Sequence, residues 1–299
     1  MPRVTHRLAL VTAAATLVLI VFGGLVTNTG AALAVPDWPT TFGYTMFLYP
    51  WSKMVGGVFY EHSHRLIGSV VGLLTLALAV TCWRQGGIAR RLGLVAVAAV
   101  IAQGVLGGLR VVLLQNVLAI LHGCLAQAFF GLVAAIAFLT SAAAARPAPP
   151  VDPSLRTLTL LAAAMVYAQI VFGALLTHAG RMDLHLAGAL LVFVFVPIVT
   201  ARSRRSGDPV AATAARALLA ALGLQLLLGV GSFLARFTSI ALPGGQFTGL
   251  ALPVAHRLVG SLVLGGALVA ALRTMTAKAM PVARGGVVIP FAAVSRGVR

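Results

Sequence analysis

Four of the seven histidines in this 299-residue chain, His64, His122, His185 and His256, open long apolar runs. The only glutamate, Glu61, stands three residues before the first of them, so the two share one helix face. Imidazole ligates metals and exchanges protons near neutral pH, and a carboxylate can accept a proton or stabilise a cation. Keeping such groups at the edge of a membrane-length apolar segment is costly, which marks them as a functional site by default. The tail of the first motif, His64-Arg65-Leu66-Ile67-Gly68, returns as His256-Arg257-Leu258-Val259-Gly260.

The elements that position these residues are membrane spans. The chain is 60% hydrophobic and 9% charged, with mean hydropathy +1.02, and apolar runs of about 18 residues or more recur along it. The composition excludes an ordinary soluble domain and predicts an all-α polytopic membrane protein with eight transmembrane helices. The spans are expected near 8–26, 61–83, 92–114, 117–139, 158–177, 184–200, 211–235 and 254–272. The first run lacks a small-residue cleavage site and is read as a retained helix. The 22 basic residues lie mainly between spans, around Arg3 and Arg7, Arg84 to Arg91, Arg146 and Arg156, Arg202 to Arg205, and Arg273 onward. The net charge of +17 is therefore a topology signal and not a nucleic-acid footprint. It predicts both termini in the cytoplasm and the four histidines near the outer face of the cell membrane. Cys82 and Cys124 fall in or at the end of spans, so no structural disulfide is expected.

An internal repeat divides the chain. Ile170-Val171-Phe172-Gly173-Ala174-Leu175-Leu176-Thr177 repeats Ile20-Val21-Phe22-Gly23-Gly24-Leu25-Val26-Thr27. Spans 1–4 and 5–8 are then two pseudo-symmetric four-helix bundles related by an axis along the membrane normal. The expected organisation is an N-terminal bundle (1–141), a cytoplasmic linker (142–157), a C-terminal bundle (158–273) and a basic cytoplasmic tail (274–299). In three odd-numbered spans a glutamine precedes a glycine by four residues: Gln103 and Gly107, Gln169 and Gly173, Gln225 and Gly229. Span 1 has Leu19 and Gly23. Close helix packing accounts for this signature.

The repeat pairs His64 with His122 and His185 with His256. Zinc would require three or four ligands per site. Two histidines from facing spans of a bundle suit a haem iron with both axial positions filled. A di-iron carboxylate site is excluded by the single glutamate. Arg65 and Arg257 either pair with haem propionates or extend to the interface. His6, His62 and His178 are weaker ligand candidates. Only the first pair has a nearby acid, since Met182 and Pro253 stand where Glu61 would fall. Glu61 is either a general base beside the porphyrin or a partner that neutralises Arg65 or caps the span. The outer segment 27–60, with Val35-Pro36-Asp37-Trp38-Pro39, reads as a packed lid.

Over roughly residues 8–273 the sequence resembles the haem A synthase (CtaA/Cox15) family. The resemblance rests on Glu61-x-x-His64-Arg65, Pro36-Asp37-Trp38-Pro39, Gln103 through Val111, His122-Gly123-Cys124-Leu125-Ala126-Gln127, His185-Leu186-Ala187-Gly188-Ala189 and His256-Arg257. It implies an oxidoreductase that converts the C8 methyl group of haem O to the formyl group of haem A for terminal oxidases, with water supplying the oxygen. It also implies haem O substrate at His64 and His122, haem b cofactor at His185 and His256, and Glu61 as the catalytic residue. Implied partners are the lipid bilayer, haem O synthase, cytochrome oxidase assembly factors and further copies of the chain. Many members carry a cysteine pair in the first outer loop; this chain has none there. The competing readings are a di-haem b-type electron carrier that leaves its haem unchanged, and a transporter, for which no broken, charge-lined span is found.

Overall fold

The computed structural model describes residues 2–277. The expected tail, 274–299, lies almost wholly outside them. Eight helices are long and apolar enough to cross a membrane, which makes the chain a multi-pass membrane protein. They are α1 (Pro2–Asn28), α2 (Gly57–Gln85), α3 (Gly87–Leu113), α4 (Asn116–Leu139), α6 (Pro153–Ala179), α7 (Met182–Arg204), α8 (Pro209–Phe237) and α9 (Gly245–Thr276). A single short turn, α5 (Ala142–Ala145), joins the halves.

Most helices outrun the apolar segments that predict them. Regular hydrogen bonding continues into polar flanks wherever a cap ends it properly. Asp152 accepts from the Ser154 amide and Asp208 from the Val210 amide, each followed by proline in the first turn. The linker expected over 142–157 is accordingly shorter, because α6 already begins at Pro153. The last helix starts at Gly245, well before Pro253, which it carries internally.

The helices form two rings of neighbours. In one, α1 packs on α2 and α4, and α3 bridges α2 and α4; in the other, α6 packs on α7 and α9, and α8 bridges α7 and α9. Between the rings, α1 meets α9, α4 meets α6, and α4 meets α9. Exchanging the halves swaps the first two contacts and returns the third to itself, as two-fold pseudosymmetry requires. The central crossing is reciprocal at side-chain level. A Cβ on Gly131 of α4 would meet Leu264 and Leu268, and one on Gly265 of α9 would meet Phe130 and Ala134. Each glycine lies nine residues beyond its helix's histidine. Small residues at such crossings let helix backbones approach closely.

At the helix ends remote from the histidines, Arg273 of α9 forms a buried ion pair with Asp208 at 2.5 Å, with side chains 1% and 2% exposed. The same guanidinium donates to the carbonyls of Ala143, Arg146 and Pro147, fastening the inter-half linker to α9. Removing one partner leaves an uncompensated buried charge, which costs about 3–5 kcal/mol. Asp208→Ala should therefore lower the thermal unfolding midpoint in detergent far more than Asp183→Ala, whose pair with Arg181 is exposed.

Candidate functional site

Each ring of helices holds one histidine pair. His64 on α2 faces His122 on α4 with ring centroids 6.4 Å apart. His185 on α7 faces His256 on α9 at 6.2 Å. The interplanar angles, 70° and 76°, are equally alike. The histidines sit one to three turns inside their helices, because those helices begin before the apolar runs.

Every ring rests against a glycine of the preceding long helix. A Cβ on Gly23 of α1 would lie 3.2 Å from His64 Cε1, and one on Gly107 of α3 3.2 Å from His122 Cε1. The distances are 3.4 Å for Gly173 of α6 to His185 and 3.0 Å for Gly229 of α8 to His256. In all four the Cε1–Nδ1 edge is nearest the glycine, so Nε2 is the more distant nitrogen. Sequence reasoning assigned these glycines to helix packing alone; they are also the floor under the histidines. The glutamines four residues earlier reach the rings as well. Gln169 Nε2 donates to the His185 carbonyl at 2.9 Å and lies 3.1 Å from its Nδ1. Gln225 Nε2 lies 3.3 Å from His256 Nε2, and His256 Nδ1 faces the Gln225 carbonyl at 3.2 Å. The repeated Gln–Gly spacing was the signal for this role, but spacing on one helix does not reveal what its neighbour presents.

A metal atom held between two imidazoles on opposite sides, at about 2 Å from each nitrogen, sets the ring centroids about 6.3 Å apart. Both pairs fit that span. The described residues contain no group of three or more His, Cys, Asp or Glu side chains suited to a metal ion. Two imidazoles per centre match haem, whose porphyrin supplies the other four nitrogens, better than a zinc site. The Oε1 atoms of Gln103, Gln169 and Gln225 are buried without a hydrogen-bond partner. Polar atoms rarely stay so in a finished core, so these atoms fit a site that a ligand would complete.

A lid covers only the first pair's unit. Thr40–Thr41 pairs with Tyr44–Thr45 as a small hairpin, turned by Phe42 and Gly43, both at positive φ. Asp37 accepts from the Phe42 and Gly43 amides and the Thr40 hydroxyl. Burial opposes ionisation of Asp37, but these bonds outweigh it and hold the carboxyl below its usual range. Trp38 lies over Gly108, where a Cβ would come within 2.3 Å of the indole. The neighbouring Gly107 supports His122, so the lid touches the histidine pocket through consecutive glycines.

The lid is held from α2. Arg65 pairs with Glu61 at 2.8 Å and donates to the carbonyls of Val35, Asp37 and Thr40. Glu61 also accepts from the Val35 amide at 3.0 Å. The Arg65 guanidinium thus has donors directed into the lid as well as to Glu61. Glu61 does neutralise Arg65, one of its two expected roles, and it retains acceptor positions beyond the two engaged. His62 is buried in the same interface, with Nδ1 3.1 Å from the Thr41 hydroxyl and its ring against Tyr49. Cys82 on α2 and Cys124 on α4 are free thiols.

A family profile described as cytochrome oxidase assembly protein, COX15-CtaA, matches residues 6–183. The match includes Glu61, His64, Arg65 and His122 and ends before His185 and His256. The chain is 32% identical over 180 residues to a heme A synthase of Shouchella clausii, covering 58% of each protein. It is 29% identical over 182 residues to a heme A synthase of Alkalihalophilus pseudofirmus, covering 57% of this chain and 59% of that one. The chain thus matches just under three fifths of the length of these curated relatives.

The lid geometry yields a direct expectation. Arg65→Ala should speed hydrogen exchange at the Val35 amide by at least about 100-fold, since losing a buried ion pair and its bonds costs about 3 kcal/mol or more. Arg65→Lys should restore little, because a point ammonium cannot serve one carboxylate and three carbonyls in a fixed fork. Exchange mass spectrometry of residues 31–48 measures both.

Proposed function

We propose that this chain, which belongs to the COX15-CtaA family of cytochrome oxidase assembly proteins, is a haem A synthase. Its substrate is haem O, and its reaction oxidises the C8 methyl group to formyl in two successive two-electron steps, with water supplying the oxygen and an external electron acceptor taking up the four electrons as four protons are released. His64 and His122 receive the substrate; His185 and His256 hold haem b. The observation that carries this reading is asymmetry between two otherwise matching pairs. Both have the spacing of a bis-imidazole centre, but only the first has a carboxylate and a lid.

A bound haem b would supply one-electron redox chemistry at the second pair. The remaining work falls to the chain's own residues. The histidines orient the substrate from both faces. The Val35–Thr45 lid and Trp38 restrict water at the first pair. Glu61, fixed by Arg65 and the Val35 amide, keeps acceptor capacity for a proton released as the methyl group is oxidised. Arg65 acts by holding the lid and Glu61 in place. We place the protein in the plasma membrane, with cytoplasmic termini and the histidine pairs near the outer face, from the distribution of its basic residues. Haem O synthase, oxidase assembly factors and further copies of the chain are the proposed partners.

The near-identical geometry of the two pairs favours one second reading, a di-haem electron carrier. Extracting haem after co-expression with a haem O synthase separates the two. Haem A or its hydroxylated precursor is expected; unchanged haem O beside bound haem b would leave the carrier. Glu61→Gln should retain haem b and lower conversion by about 10²–10⁴-fold. His185→Ala should lose haem b, whereas His64→Ala should keep it, as read from pyridine haemochrome spectra.

A further inference from the structure

The motif His-Arg-Leu-x-Gly occurs twice, and its two arginines meet opposite fates. Arg65 has Glu61 one turn before it and three loop carbonyls around it. Arg257 has Pro253 at the same offset. Among the described residues its hydrogen bonds are two long ones, to the Gly23 carbonyl at 3.5 Å and the Thr27 hydroxyl at 3.4 Å. A guanidinium has five N–H donors in a rigid fork suited to carboxylate or phosphate, so most of this fork is unengaged.

Arg257 is not alone. Arg236, at the end of α8, reaches Asn28 at the end of α1 and lies close enough for its charge to act on Arg257. Arg257 and Arg110, at the end of α3, both act on His178, at the end of α6. Arg236 and Arg257 both bond to α1, at Asn28 and at Gly23 and Thr27, so the two cations stand where α1 meets the second half. No carboxylate neutralises them. The chain has five acids: Asp37 is bound in the lid, Glu61 pairs with Arg65, Asp152 caps α6, Asp183 pairs with Arg181, and Asp208 pairs with Arg273. Several arginines held at the ends of apolar helices without a counter-charge are unfavourable, and the chain has no acid left to supply one.

We propose that Arg257, with Arg236 beside it, is a carboxylate anchor at the junction of the two halves, occupied by the propionate side chains of the haem held at His185 and His256. This rests on the reading of that pair as a haem site. Arg257 directly follows His256, so anchor and axial ligand share one turn of α9. Its contact with Gly23, the glycine that supports His64, sets the same charge against the first unit. The anchor therefore lies on the side of the second unit that faces the first.

The test compares haem b with its dimethyl ester, in which both propionates are neutral. The full-length protein is depleted of haem in neutral detergent and titrated with each compound. The parent protein should bind haem b about tenfold or more tightly than the ester, the size of one charge-assisted interaction. Arg257→Leu should bring the ratio close to one while the low-spin bis-imidazole spectrum persists, and Arg257→Lys should recover part of the preference. Equal binding of the two compounds by the parent overturns the proposal, as does a preference that survives unchanged in Arg257→Leu. Loss of co-purifying anionic phospholipid from Arg257→Leu, with no ester discrimination in the parent, gives the anchor to a lipid phosphate and also overturns it. A parent protein that takes up haem b without a bis-imidazole spectrum defeats the haem-site reading itself, which distinguishes that failure from the others.

Discussion

Each of the four paired histidine rings lies against a glycine of a neighbouring helix, and the rest of the site depends on that contact. The Cβ that an alanine would add falls 3.0–3.4 Å from Cε1 in every case, tighter than ordinary packing. Glycine therefore sets how near the two helices come, and the helices set where the imidazoles stand. With the distance repeated in both halves, the two pairs reach nearly one separation, 6.4 and 6.2 Å. The rigid central crossing at Gly131 and Gly265 carries the same economy of volume into the interface between halves.

Much of this was legible because membrane helices leave strong marks. Apolar run length found all eight spans, and the Ile20–Thr27 and Ile170–Thr177 match set the register that pairs the histidines. Helix ends were less legible, since caps such as Asp152-Pro153 and Asp208-Pro209 extend helices past the apolar limit. The roles of Gly107 and Gln169 were hidden for a different reason. Their spacing shows a face, but the residue that meets the face belongs to another helix. The lid contacts of Arg65 were hidden on the same ground: three of its acceptors lie 25 to 30 residues away in the lid, and only Glu61 is one turn away.

The two halves share one frame and differ in how its charges are engaged. At the first unit, Glu61 is available to Arg65, and the pair organises a lid. At the second, Pro253 replaces the acid, and among the described residues Arg257 is left with long contacts. A single position, four residues before the arginine, thus separates a unit whose arginine is paired and holds a lid from one whose arginine has only long contacts. The family match ends inside the second unit, before His185 and His256, so it is the repeat and the pair geometry that carry the comparison to the second pair.

The same device closes both ends of the molecule. Arg65 binds one carboxylate and three carbonyls of the lid; Arg273 binds one carboxylate and three carbonyls of the linker between halves. In each the carboxylate also accepts a backbone amide, from Val35 or from Val210. A planar fork of donors suits this task because it fixes an irregular segment through its carbonyls and needs only one acid to balance the charge. The two knots differ in exposure: the side chains of Arg65 and Glu61 are 10% and 7% exposed, those of Arg273 and Asp208 1% and 2%. Water can replace lost bonds more readily at the first, so opening the lid is less costly than loosening the linker. This difference in burial lets one interaction type hold a cover that can open and a joint between halves that stays closed.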